Sequence, residues 1–237
     1  APTAANGRVF VVTIDGRTYC LSAADGVELW VVRGLPQTAS LVSSVSPAVF
    51  GDTVVVPYPS GDLAALNIND GSTKWSENLA RKRATSQLAS LSDAARPAIA
   101  DGIVYAIGHA GRMIATKIDT GERLWSLRVP GTQTPYVAGQ SVFVVDTSGQ
   151  LMAISRATGN IQWTMKIPGS TRTWAGPVLA GGSLWVVSNK GEIVSVEPTS
   201  GRVVKQSTLG SPVYVSPIVA QNRMLVLTDS AELMSLN

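Results

Sequence analysis

Cysteine, histidine, charge and long apolar runs are all scarce in this 237-residue chain. Each scarcity removes a class of function. A single cysteine, Cys20, excludes an internal disulfide and a cysteine-built metal site. The only histidine, His109, stands in the turn-like stretch IGHAGR and reads as a turn residue, so a Ser-His-Asp triad has no suitable base. Charged residues make up 15% of the chain and the net charge is +3. Nucleic-acid binders usually concentrate more charge on one face. The one basic cluster, RKR at 81–83, falls in a connector and reads as a solvated loop. The longest apolar runs, such as VFVV (9–12) and TVVV (53–56), are strand-sized. A membrane helix needs roughly 20 apolar residues. Aromatics are only 6%, too few for a broad sugar-stacking shelf. Asp15, Asp146 and Asp229 lie near turns and far from other acids, as hairpin chemistry alone requires, so no calcium site is expected.

What the chain does have is a repeat. Pro2, Pro47, Pro97, Pro135, Pro177 and Pro217 each open a unit. Fourteen residues on stand Gly16, Gly61, Gly111, Gly149, Gly191 and finally Ala231. Twenty-four on stand Gly26, Gly71, Gly121, Gly159 and Gly201, and twenty-eight on stand Trp30, Trp75, Trp125, Trp163 and, in the fifth unit, Lys205. The connectors between these cores vary, at 16, 21, 9, 13 and 11 residues. Fixed cores with elastic connectors are what stacked or radial repeats require, because every unit must fit the same neighbour surface. Stretches such as GIVYAIG (102–108), SVFVVD (141–146) and SLWVVS (183–188) are rich in β-branched and aromatic residues. GRMIATKID (111–119) and GEIVSVEP (191–198) read as alternating strands. Glycines in SGD, AGR, SGQ and KGE fall where hairpins need positive φ. No capped amphipathic helical pattern is present.

The expected fold is therefore all-β: a single β-propeller domain over 1–237, built of antiparallel blades of three or four strands, about forty residues each. Five full blades and most of a sixth are expected, with units near 2, 47, 97, 135, 177 and 217. Four pairs, Gly26 with Trp30, Gly71 with Trp75, Gly121 with Trp125 and Gly159 with Trp163, are the candidate structural seals. A flat indole can close the gap between blades where it meets backbone that carries no side chain. Trp185 reads as core, and Trp174 as core or rim packing within a connector.

The eleven-residue cassettes ALNINDGSTKW (65–75), ATKIDTGERLW (115–125) and AISRATGNIQW (153–163) resemble the tryptophan-docking motif of quinoprotein-type propellers. CLSAADGVELW (20–30) fits with Cys20 in the alanine place, and SVEPTSGRVVK (195–205) fits with serine first and lysine last. Residues 88–131 and 142–155 are similar to the BamB family of the outer-membrane β-barrel assembly machinery. That resemblance implies an eight-bladed ring whose N-terminal blades, signal peptide and lipid-anchor cysteine lie outside this chain. It implies a non-catalytic scaffold at the periplasmic face of the outer membrane. The partners implied are the periplasmic domains of BamA and unfolded outer-membrane proteins, and no cofactor or metal is implied. In the family, two neighbouring inter-blade loops contact BamA. The matching stretches are ASLVSSVSP (39–47), with Ala39 and Leu41 on the two leucine places and Val42 on an arginine place, and SDAARP (92–97). In the second, Asp93 matches the first acid of a pair, Ala95 replaces the other, and Arg96 stands beside it. These are the two longest connectors, and long loops on a rigid scaffold commonly carry binding. Two other readings remain: a quinone-dependent dehydrogenase fragment, which would bring a calcium-bound cofactor, an aspartate base and often a vicinal cysteine pair, and a generic periplasmic ligand-binding propeller.

Overall fold

Proline sets where most sheets begin. In the computed structural model, which describes residues 1–34, 46–58, 60–79, 95–109, 111–169 and 173–236, β1 (Thr3–Ala5), β5 (Ala48–Phe50), β9 (Ala98–Ala100), β13 (Tyr136–Ala138) and β21 (Ile218–Ala220) each start one residue after the unit's proline. Proline has no N–H to offer a ladder, so the position before a strand suits it. The fifth unit departs from this rule. Its first strand, β17 (Trp174–Ala180), begins before Pro177 and runs through it, with a register shift between Ala175 and Val178. The shift releases Pro177 from the ladder. Trp174 is therefore not a connector residue: it opens this strand and is 4% exposed.

Three longer strands complete each unit: β2 (Arg8–Val12), β3 (Arg17–Ser22) and β4 (Glu28–Arg33); β6 (Thr53–Pro57), β7 (Asp62–Asn67) and β8 (Thr73–Asn78); β10 (Ile103–Gly108), β11 (Arg112–Lys117) and β12 (Arg123–Leu127). They continue as β14 (Ser141–Val145), β15 (Gln150–Ser155) and β16 (Ile161–Lys166), then β18 (Ser183–Ser188), β19 (Glu192–Val196) and β20 (Val203–Thr208). The sixth unit holds β22 (Arg223–Leu227) and β23 (Leu233–Leu236). Among the described residues these form five four-stranded antiparallel meanders and one of three strands. The first hairpins of the first, third, fifth and sixth units turn through two consecutive left-handed residues, as at Asn6-Gly7 (φ 50° and 70°) and Asp101-Gly102 (φ 49° and 72°), whereas the second and fourth have one each, Gly51 and Gly139. Those angles fit the type I′ turn that suits the right-handed twist of paired strands.

The chain divides into two compact units, Ala1–Thr132 and Gln133–Asn237. Within the first, β1 lies beside β5 and β5 beside β9; within the second, β13 lies beside β17 and β17 beside β21. A sheet with a neighbour on each side, such as the second or the fifth, has both faces covered. The expected alternation in 111–119 and 191–198 is replaced by near-continuous burial, over Met113–Thr116 in β11 and Ile193–Val196 in β19. In β6, Val54 and Val56 join the core shared with Phe10 and Trp30, while Val55 joins the core shared with Val104 and Ile114.

Each seam within a unit is closed by an indole where one is available. Trp30 Nε1 donates to the Ile68 carbonyl at 3.0 Å, Trp75 Nε1 to the Ile118 carbonyl at 2.6 Å, and Trp163 Nε1 to the Pro198 carbonyl at 2.9 Å. The glycine of the receiving sheet lies directly beneath. A Cβ added at Gly71 would sit 2.9 Å from Trp30, at Gly121 2.6 Å from Trp75, and at Gly201 2.6 Å from Trp163. All three glycines are left-handed, with φ between 72° and 73°. Trp125 is buried at 8% exposure, and Gly159 has φ 74°. Gly26 has φ 76°, but an added Cβ there would meet nothing within 4 Å.

Behind each indole runs a cross-strand row. Phe10, Cys20 and Trp30 stand side by side in β2, β3 and β4, as Tyr105, Ala115 and Trp125 do in β10 to β12 and Phe143, Ala153 and Trp163 in β14 to β16. The ring centroids are 5.9, 6.0 and 6.1 Å apart, leaving room for only a small side chain between. Cys20 fills that place in the first sheet, fully buried, and burial pushes its thiol pKa up. In the fifth sheet the row is Trp185, Ser195 and Lys205. With no indole to cover it, Trp185 is half-buried at the border of its cluster rather than in the core.

These contacts set the expected response to mutation. Trp75→Ala should cost about 3–5 kcal/mol in urea unfolding. Gly121→Ala should cost more than Gly26→Ala, which bears only the roughly 1–2 kcal/mol penalty of a left-handed alanine; equal losses at the two glycines would show that the indole contact adds nothing. Cys20 should resist an aromatic disulfide reagent in the native protein and react at the rate of unfolding in urea.

Candidate partner-binding loops and seam clefts

The two longest connectors leave the scaffold from corresponding places. Gly34 N–H donates to the Gly16 carbonyl at 2.7 Å, and Leu79 N–H donates to the Gly61 carbonyl at 2.8 Å. Each bond ties the end of an outer strand to the tight turn between the second and third strands of its own sheet. Leu79 is fully buried and lies against Gly108 of the next sheet, where an added Cβ would approach it to 3.1 Å. Both connectors thus begin at fixed points on the same edge of their sheets, and return at Pro47 and Pro97. Ala39, Leu41, Val42 and Asp93 lie outside the described residues. Arg96 is described: it is exposed between buried Ala95 and buried Pro97, and Ala95 N–H donates to the Ile107 carbonyl at 3.0 Å. The backbone is therefore pinned on either side of a side chain that faces solvent.

The charged residues around these sheets are engaged locally. Lys74 Nζ bridges Asp52 Oδ1 and Thr53 Oγ1, both at 2.8 Å, and its hydrogen bond holds the Asp52 carboxyl below the usual carboxylate range. Arg123 of the third sheet grips Glu77 of the second through both carboxylate oxygens. The turn aspartates serve their own turns. Asp146 Oδ1 accepts from the backbone N–H groups of Ser148 and Gln150, each at 2.8 Å. Asp15 accepts from Thr13 Oγ1, which lowers its pKa, and pairs with Arg17 Nε at 2.9 Å. His109 is exposed in its turn. Among the described residues no group of three His, Cys, Asp or Glu side chains is placed to hold a metal ion.

Sequence reasoning missed two clefts in the second unit. The first, of about 470 Å³, opens between the fourth and fifth sheets, with Phe143, Trp163, Leu179 and Pro198 as its apolar walls and Ser141 and Gln162 at its mouth. Its cause becomes visible when the units are compared by offset from their prolines. Pro198 stands where Ile68 and Ile118 stand in the second and third units, and those isoleucines are 4% and 2% exposed. Ser141 stands where Arg8 stands in the first unit, and Arg8 reaches across the first seam to Asn69 Oδ1 at 3.1 Å. Thr53 holds that offset in the second unit, so the difference that sets this seam apart from both others is the smaller filler, Pro198. The second cleft, of about 630 Å³, lies between the fifth and sixth sheets, at the seam that has Lys205 in the indole place. Trp185, Leu179, Val219 and Met224 wall it, and Arg223 stands at its rim.

Comparison with known proteins follows the same repeat. A family profile described as "Outer membrane protein assembly factor BamB" matches residues 1–165 and 166–237. The outer membrane protein assembly factor BamB of Yersinia pestis is 25% identical over 231 residues, covering 97% of this chain and 58% of that protein. The chain thus spans less than two thirds of the length of the curated relatives it matches. The crystal structure of BamB from Moraxella catarrhalis superposes with a TM-score of 0.91 at 19% identity, over 99% of this chain and 70% of that one. A quinohemoprotein alcohol dehydrogenase from Pseudomonas putida HK5 aligns less well, with a TM-score of 0.64 at 14% identity over 89% of this chain and 42% of its own. The fold is a β-propeller fold, and the profile match extends over the whole chain: this protein belongs to the outer membrane protein assembly factor BamB family.

Proposed function

We propose that the chain is a non-catalytic scaffold of outer-membrane β-barrel assembly, lipid-anchored in its full-length form at the periplasmic face of the outer membrane. Its loops at 35–45 and 80–96 bind the periplasmic domains of BamA, and its surface receives unfolded outer-membrane proteins. The observation that carries this reading is the family match over residues 1–165 and 166–237, joined to sheets whose indole-locked seams hold the two longest connectors on one edge. Exposed Arg96, three residues after Asp93 in sequence, supplies charge at the second loop in place of the family's acidic pair. An exposed ion pair is worth little alone, so this charge is a secondary part of the contact.

In the same reading, residues 1–237 are one propeller domain that takes a further blade of the same repeat on its first sheet. Val9, Val11, Tyr19 and Leu21 occupy the offsets that Val54, Val56, Ala64 and Leu66 occupy in the second sheet, where those residues form the seam with the first. Gly26, left-handed and with open space above it, is the matching seat for an incoming indole.

A dehydrogenase reading predicts cofactor absorbance and dye reduction when purified protein is supplied with quinone and calcium; the scaffold reading predicts neither. Asp93→Arg and Leu41→Asp should each weaken capture of BamA by several-fold while leaving the β-sheet circular dichroism unchanged. Full capture by both variants would remove the two loops as the contact.

A further inference from the structure

Beside each docked indole, two further places on neighbouring sheets carry matched chemistry. One is the residue two after the indole; the other is the residue two after the glycine beneath it. Where Trp75 sits over Gly121 these places hold Glu77 and Arg123, and Arg123 grips both carboxylate oxygens of Glu77. Where Trp163 sits over Gly201 they hold Met165 and Val203, which join one apolar cluster. Where Trp30 sits over Gly71 they hold Val32 and Thr73, neither of them charged. Charge therefore meets charge, and uncharged residues meet uncharged ones. The reason is desolvation. The Glu77 side chain is only 15% exposed, and a carboxylate so placed against an apolar residue would lose water without gaining a partner.

Glu28 holds the receiving place in the first sheet, two residues after Gly26. It stands opposite Leu21 across β3 and β4, as Arg123 stands opposite Thr116 across β11 and β12. A register shift follows at both positions, so Glu28 lies on the face away from Cys20 and Trp30, which form the seam with the second sheet. Arg17, on the same strand face as Leu21, holds the offset of Arg112, whose Nη1 donates across a seam to the Asn78 carbonyl at 3.3 Å. Glu28 is exposed and forms no ion pair with a described residue.

Charge matching selects what covers this face. A sheet that lays its indole on Gly26 has to bring a cation two residues beyond that indole. No outermost strand of this chain does so: the place holds Val32, Glu77, Leu127, Met165 and, after Lys205, Ser207. The neighbouring basic residues Arg33, Arg128 and Lys166 are one position further and point to the opposite face of their strands. A second copy of the chain is thus mismatched. The Yersinia pestis relative, of which this chain covers 58%, has length for additional repeats.

We propose that a repeat of the full-length protein, outside residues 1–237, seats its indole on Gly26 and pairs a lysine or arginine, two residues beyond that indole, with Glu28. This deepens the reading of a further blade on the first sheet and rests on it.

The test uses the full-length protein. The residue two places after the docking tryptophan of the preceding repeat should be lysine or arginine; any other residue there overturns the proposal. Glu28→Lys should speed amide hydrogen exchange in β3 and β4 about two- to fivefold, the factor that loss of one exposed ion pair allows. Reversing the partner to glutamate in the same protein should restore the slower exchange. Unchanged exchange in Glu28→Lys, or no restoration by the second reversal, overturns the pairing. The same substitution in the 237-residue chain should be silent, and an equal acceleration there would place the effect inside this chain and overturn it too. The parent reading has its own readout: β3 and β4 should be better protected in the full-length protein than in the 237-residue chain. Better protection with a silent Glu28→Lys removes the ion pair alone, whereas equal protection removes the further blade and the pair with it.

Discussion

An indole laid on a side-chain-free stretch of the next sheet is the contact on which this architecture depends. It combines three demands on sequence. The ring needs area to bury, its N–H needs an acceptor, and the receiving backbone needs a residue without Cβ in a left-handed conformation. All three fall at constant offsets from the strand-opening proline. The acceptors Ile68, Ile118 and Pro198 stand 21 residues after it, the glycines 24 and the indoles 28. The stretch from proline to tryptophan cannot change length without moving the ring off its carbonyl. Length varies in the connectors instead.

From that contact follows the loss of alternation in the inner strands. A sheet locked to a neighbour on each side has no wet face, so Val54 and Val55 are both fully buried although they point in opposite directions. Alternation is a signature of sheets with one face in water. Here the two-residue period is hidden, and polar residues gather in the outermost strands and the turns instead, as in β8 and β20. The small residue at the centre of each aromatic row has the same origin. Cys20 and Ala153 stand between two rings whose spacing is fixed by the seam, so a thiol is tolerated there as packing material.

Fold class was readable from the sequence because glycine and tryptophan mark geometry that few other residues supply. Left-handed turns at Gly16, Gly61 and Gly149 leave a trace in the residue type itself. Other features left no such trace. The strand through Pro177 depends on a local register shift, and nothing in TRTWAGP distinguishes it from a connector. Trp185 has a core-like neighbourhood in sequence, yet its exposure is decided by Lys205, twenty residues away and two strands over. The clefts were invisible for a related reason. A cavity is a difference between neighbours, so Pro198 becomes informative only beside Ile68 and Ile118 at the same offset. Among the partner-loop residues, Arg96 alone is described, and its exposure between two buried neighbours was not legible from SDAARP.

Departures from a tight repeat are the places where this scaffold leaves apolar volume unfilled. Where every seam element is present, as at Trp75 over Gly121 with Ile118 beneath, the surface is closed and its charges are satisfied by near neighbours. Where one element is replaced, by proline for isoleucine or lysine for tryptophan, apolar walls remain but their filling is gone. Each such change forgoes part of the stability that a complete seam provides, because unfilled apolar volume costs free energy in proportion to its size. Two adjacent seams of the second unit carry such changes, and the two clefts meet at one leucine. A rigid repeat can bear that cost because the remaining seams hold the frame.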